Sequence, residues 1–159
     1  MHRAVPLKIT LIGLLITGSS VALAQHAESV GADFIASVSP YYHRHDERAV
    51  AQYFDTLAHA VSLPVYVYNN PKASGFTLSP AFLRRLAGVG VQGIKDSGFS
   101  YIELTHFMLA FQDRPEFRFV AGTEALALAS KLAFHDDVKY GAPGPPGGPP
   151  GYDSAAWQK

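Results

Sequence analysis

The stretch Val91-Gln92-Gly93-Ile94-Lys95-Asp96-Ser97 decides the fold. It is a short apolar run bounded by Gly90, too short for a helix, and it ends on lysine, aspartate and serine. Three further runs share that form. Phe34–Val38 leads into Ser39 to His43, Val65–Tyr68 follows Pro64 and leads into Asn69 and Asn70, and Phe117–Ala121 leads into Gly122 to Glu124. The run ends at Val38, Tyr68, Lys95 and Ala121 fall about 30 residues apart, the length of one βα unit.

Helical signals fill the gaps. Asp46–Val61 carries helical spacing, and Ser79-Pro80 is an N-cap followed by proline at the first helical position, opening a helix to about Ala87. Ser100-Tyr101-Ile102-Glu103 is a capping box opening a helix to Phe111, and Thr123 opens a last helix toward Phe134. Strands that do not alternate cleanly with polar residues imply a parallel sheet covered by helices. Two α/β architectures fit, an open doubly wound sheet or part of a (β/α)8 barrel. No Gly-x-Gly-x-x-Gly turn follows any strand, so the dinucleotide-binding open sheet lacks its phosphate grip. Polar residues instead gather at the C-terminal strand ends, where barrel enzymes keep their chemistry. The expectation is an incomplete (β/α)8 TIM barrel of about four to five βα units with parallel strands.

Both chain ends differ from this middle. His2, Arg3 and Lys8, the apolar stretch Ile9 to Ile16, and Ala22-Leu23-Ala24 before Gln25 match the three parts of a secretory signal peptide. The apolar stretch is too short to span a membrane. The competing reading is a barrel strand over Leu7–Ile12, a loop at Gly13–Gly18 and a helix from Ser19 or Ser20 to Val30, ended by Gly31. On these residues alone both readings stand. Gly141 to Gly151 are all glycine or proline except Ala142, which no helix or sheet tolerates. The expected organisation is therefore an N-terminal apolar segment over residues 1–19, a partial barrel over 20–140, and a disordered tail of polyproline II character over 141–159.

Composition narrows the function. In 159 residues, 13 Lys+Arg balance 13 Asp+Glu, which argues against nucleic-acid binding because phosphate recognition needs a basic surplus. With no cysteine, disulfide scaffolds, thiolate metal sites and cysteine nucleophiles are excluded. Hydrophobic residues at 48% against 16% charged are enough for a core.

Two residues could carry chemistry. Spacing alone favours a Lys95 that snorkels to the rim or pairs with Asp96. The alternative is an inward-facing lysine at a confined strand end, where burial disfavours the ammonium charge and the free amine is a nucleophile for carbonyls. Tyr68 closes the preceding strand; if consecutive strands are neighbours about 4.8 Å apart, both side chains reach one bound substrate. A phenol there would pass protons, and the plainer alternative is a tyrosine filling the barrel mouth. His43-Arg44-His45-Asp46-Glu47 holds possible metal ligands, but reads better as a polar loop entering a helix with acidic residues at its N-terminus. His135-Asp136-Asp137 is assigned no role.

Taken in order, Gly31-Ala32-Asp33, Ser39-Pro40-Tyr41-Tyr42, Leu63-Pro64-Val65 with Tyr68-Asn69-Asn70-Pro71 and Gly75, Gly93-Ile94-Lys95-Asp96-Ser97, and Gly122-Thr123-Glu124-Ala125-Leu126 form a series. It resembles the dihydrodipicolinate synthase and N-acetylneuraminate lyase family over roughly residues 20–134. The resemblance implies a class I, pyruvate-type Schiff-base lyase or aldolase. Lys95 would form the imine with the keto carbon of pyruvate or a related 2-keto acid, and Tyr68 would relay protons. Tyr42 would complete that relay, often across a subunit contact, while Gly122 and Asn69 would lie at the substrate. No metal or organic cofactor is implied, since the imine is the electron sink. The implied partners are a small-molecule 2-keto acid and further copies of the chain, with neither nucleic acid nor membrane.

Departures from the family pattern sharpen the expectation. Where the synthases follow Tyr-Asn-x-Pro with Gly-Arg-Thr, this chain has Lys72, Ala73 and Ser74, so lysine biosynthesis is disfavoured against an aldolase or lyase of another 2-keto acid. The Thr-Thr-Gly-Glu segment that holds the pyruvate carboxylate has no match in residues 1–30, and a barrel of this type takes about 250 residues. A catalytically inactive truncated member is thus one alternative, and a secreted protein with a Pro-rich binding tail another. Because the resemblance runs through Ala22–Gly31 as a barrel helix, a cytoplasmic location is expected over secretion through residues 1–24.

Overall fold

The computed structural model describes residues 9–12, 17–41, 43–123 and 138–140. Six strands, β1 (Ile9–Ile12), β2 (Phe34–Val38), β3 (Val65–Asn69), β4 (Val91–Asp96), β5 (Arg118–Ala121) and β6 (Val138–Tyr140), form one parallel sheet. Their spatial order is their chain order. A doubly wound sheet reverses its order at a switch point, so this succession decides for the partial TIM barrel. The helices are α1 (Thr17–Ser29), α2 (Glu47–His59), the single turn α3 (Pro71–Ser74), α4 (Pro80–Gly88) and α5 (Tyr101–Leu109).

The helices start where side chains can satisfy their first free N–H groups. The Asp46 carboxylate accepts from Ala49 N at 2.8 Å, Ser79 Oγ from Phe82 N at 3.1 Å, and Ser100 Oγ from Glu103 N at 3.2 Å. Asp46 therefore serves α2 as its cap, at a helix N-terminus where the loop reading expected acidic residues. In α2, Val50, Tyr53, Phe54 and Leu57 follow the spacing of one helix face and all are buried.

Strand alternation separates two apolar layers. Ile35, Val65, Val67, Ile94 and Phe119 face the helices and join the main core with Phe54 and Phe82. Phe34, Ala36, Tyr66 and Val120 face the other way, toward the barrel interior, with Tyr68 packed against them. Ser37 breaks the apolar pattern of β2, and its hydroxyl lies 2.7 Å from the buried Tyr53 hydroxyl. That bond removes the cost of burying either group unpaired.

At the N-terminus the described residues form a strand and a helix. β1 pairs with β2 from Ile9↔Phe34 to Ile12↔Ser37, and α1 buries Ser20, Ala24 and Ala27. The Ala24–Gln25 bond, where a signal peptide would be cut, lies inside α1. β6 adds a strand that the sequence did not signal. The expected helix from Thr123 toward Phe134, beyond its first residue, and the tail 141–159 lie outside the described residues. No helix among the described residues is long and apolar enough to cross a membrane.

Candidate active site

A one-residue irregularity in β4 decides where its lysine points. Val65 pairs with Val91, but Tyr66 pairs with Gly93, so Gln92 is an extra residue. Simple alternation would send Val91 and Ile94 to opposite faces; with the extra residue both face the helices and are buried. Lys95, one step beyond Ile94, then turns inward opposite Tyr68. Gly93 makes this geometry fit. A Cβ there would lie 2.9 Å from the Tyr66 ring and 2.7 Å from the Arg118 carbonyl. Tyr66 in turn stacks on Phe34 with ring centroids 4.5 Å apart, forming the floor beneath the lysine.

At the strand ends Lys95 Nζ sits 3.7 Å from the centre of the Tyr68 ring and donates to Ser97 Oγ at 3.4 Å. The Asn70 amide donates to the Tyr68 hydroxyl at 3.4 Å. Burial alone pushes the Tyr68 phenol up, but the Ser97 hydroxyl, the cationic Lys95 and Asn70 together outweigh it and hold the phenol below the ordinary tyrosine value. Tyr66, without such neighbours, is raised by burial against the opposing pull of Arg118. Lys95 and Tyr68 are both half-buried, reachable yet confined. Lys95 and Asp96 face opposite sides of the sheet and form no ion pair.

Gly122 closes the site from β5. Its N–H donates to the Asp96 carbonyl at 2.6 Å, and a Cβ would fall 2.0 Å from Ser97 Oγ, so only glycine allows Ser97 to occupy this corner. Asn69 lies at the next register position after Tyr68 but on the helix side, its amide bonded to the Asp96 carboxyl. Tyr42 lies outside the described residues. Sequence reasoning missed Ser97 as part of the group, although its place two residues after Lys95 was the available signal. Beyond Ser97, Phe99 adopts a left-handed φ of 61° and is 61% exposed, with Lys72 Nζ 4.8 Å above its ring. That residue and α3 form the rim of the strand-end face.

A separate cleft of about 450 Å³ opens between α1 and α2, lined by Thr17, Pro40, His45 and Tyr53 among others, and includes neither Lys95 nor Tyr68. Among the described residues no group of three or more His, Asp or Glu side chains is placed to hold a metal ion.

The chain that carries this amine and phenol is similar to known proteins. Residues 4–135 match the model of the dihydrodipicolinate synthetase family. The chain is 37% identical over 131 residues to the 2-dehydro-3-deoxy-D-gluconate/2-dehydro-3-deoxy-phosphogluconate aldolase of Thermoproteus tenax, covering 82% of this chain and 41% of that protein. It is 33% identical over 115 residues to the 4-hydroxy-tetrahydrodipicolinate synthase of Chlorobium phaeovibrioides, covering 70% and 38%. The solved KD(P)GA structure from T. tenax superposes with a TM-score of 0.71 at 35% identity, over 83% of this chain and 45% of that one. The dihydrodipicolinate synthase of Bacteroides thetaiotaomicron does so with 0.73 at 29% identity, over 82% and 44%. The chain thus spans less than half the length of these relatives. With most of its residues matched by the family model and its strands superposing on solved members, the chain belongs to the dihydrodipicolinate synthetase family.

Proposed function

We propose that the protein is a Schiff-base carbon–carbon lyase or aldolase acting on pyruvate or a related 2-keto acid, with Lys95 as the nucleophile and Tyr68 as the proton carrier. The observation that carries this reading is the Lys95 amine held 3.7 Å over the Tyr68 ring on the inner face of the strand ends. The free amine adds to the keto carbon and its proton passes to the carbonyl oxygen. A further proton, given by the Tyr68 hydroxyl, lets that oxygen leave as water and leaves a protonated imine beside the phenolate. The cationic imine then accepts the electron pair when a C–H or C–C bond beside it breaks, and returns it when that bond forms. Tyr68, with Ser97 and Asn70 close by, is placed to carry the protons these steps require. Membership in a family whose named relatives are aldolases and synthases supports the same chemistry. Lys72, Ala73 and Ser74, standing where the synthases place Gly-Arg-Thr, favour an aldolase or lyase over the lysine-pathway synthase.

Tyr42 belongs to this proposal as the relay's second tyrosine and Gly122 as a substrate-side residue. A homo-oligomeric, cytoplasmic protein is part of the same reading. Cleavage after Ala24 would divide a helix whose Ala24 and Ala27 are buried. Sedimentation tests the first point, and a mature N-terminus at Gln25 would contradict the second.

Borohydride reduction with pyruvate tests the activity. An adduct on Lys95 that disappears in Lys95→Ala supports it, and a folded sample without any adduct favours the catalytically inactive family member.

A further inference from the structure

Behind the reactive pair lies a second one. Asn69 and Asp96 occupy the next paired register position after Tyr68 and Lys95, and alternation turns both toward the helices. They are 7% and 1% exposed. Asn69 Nδ2 donates to Asp96 Oδ1 at 2.5 Å, and Gly98 N donates to the same oxygen at 3.3 Å. The backbones of the same two residues hold the site's other members. Ser97 N donates to the Asn69 carbonyl at 2.8 Å, and Gly122 N to the Asp96 carbonyl at 2.6 Å.

We infer that Asn69 and Asp96 are positioning residues, a buried pair that fixes the ends of β3, β4 and β5 so that Lys95 and Ser97 face Tyr68, without touching the substrate. This rests on the Schiff-base reading above. A plain structural contact does not call for this chemistry. Asp96 Oδ2 has no hydrogen-bond partner among the described residues, and a buried carboxyl left partly unpaired is costly to the fold. An apolar residue would avoid that cost but leave the Asn69 amide unpaired and release the turn at Gly98. Burial, with Glu103 nearby, pushes the Asp96 carboxyl above the ordinary value, against the opposing pull of Asn69, Gly98 and Lys95.

The test follows the rate of Lys95 trapping by cyanoborohydride against pyruvate concentration, in the wild type, Asn69→Ala, Asp96→Ala and Asp96→Asn. Misplaced reacting groups lower the maximal rate, so Asn69→Ala and Asp96→Ala should lose roughly ten- to a hundredfold with little change in half-saturating pyruvate. Asp96→Asn keeps an acceptor for Asn69 and should stay near the wild-type rate. A raised half-saturating concentration with an unchanged maximum in Asn69→Ala would place that amide on the substrate and overturn the inference. So would an Asp96→Asn loss as large as that of Asp96→Ala. If the wild type forms no adduct, the Schiff-base reading fails separately, and amide hydrogen exchange at Ser97 and Gly122 decides the pair. Exchange accelerated in Asn69→Ala but not in Asp96→Asn supports it, and unchanged exchange in Asn69→Ala overturns it. Should Asp96→Ala not fold, the other two variants carry both measurements.

Discussion

Lys95 and Tyr68 are register partners on adjacent parallel strands, and the lysine amine rests over the face of the phenol ring. The ring stabilises a cation and the hydroxyl lies beside it, so one residue can serve both the resting lysine and the proton transfers.

Tyr68→Phe separates these roles. The ring under Lys95 remains, so stability should change by less than about 1 kcal/mol, whereas loss of the proton carrier should slow turnover roughly 10²- to 10⁴-fold. Because the phenol is held below the ordinary tyrosine value, the alkaline limb of the wild-type pH profile should fall below that value and be absent in Tyr68→Phe.

Gly93→Ala tests the floor of the site. The added Cβ meets the Arg118 carbonyl and the Tyr66 ring inside contact distance, and the backbone side of that clash cannot yield cheaply. Denaturant unfolding should show a loss of about 1–3 kcal/mol, as for an overpacked core.

Phe54→Ala tests the helix-facing core. Phe54 is fully buried beside Tyr53, and its truncation should cost about 3–5 kcal/mol, read from the same unfolding curves.

Asp96 makes stability depend on pH in a stated direction. Its carboxyl is raised in the folded state, so folding favours the protonated form. Stability is therefore greatest below the unfolded carboxylate value and declines as pH rises from that value through the folded one. The facing groups are Glu103, which reinforces the shift, and Asn69, Gly98 and Lys95, which oppose it. Asp96→Asn should flatten this part of the stability curve; an unaltered slope would assign it to other groups.

Much of this was legible in the residues because local chemistry fixed it. β2 runs over Phe34–Val38 as expected, and Asp46, Ser79 and Ser100 begin their helices because short polar side chains fit the first turn. The sheet order confirms the partial barrel that strand spacing and polar strand ends suggested. The extra residue Gln92 was not legible, since a bulge depends on the partner strand rather than on its own sequence. β6 gave no signal because three residues after His135-Asp136-Asp137 show no period of their own. The helix-side orientation of Asn69 was readable in principle. A residue next to an inward Tyr68 must point outward, and alternation applied to that pair gives its place.

The central claim is that Lys95 is a carbonyl nucleophile. The most direct measurement is borohydride reduction of the folded protein with pyruvate, followed by mass spectrometry of the peptide containing Lys95. The account predicts a reduced pyruvate adduct on Lys95, lost in Lys95→Ala and slowed in Tyr68→Phe. A folded protein that gives no adduct, or carries it on another lysine, would contradict it.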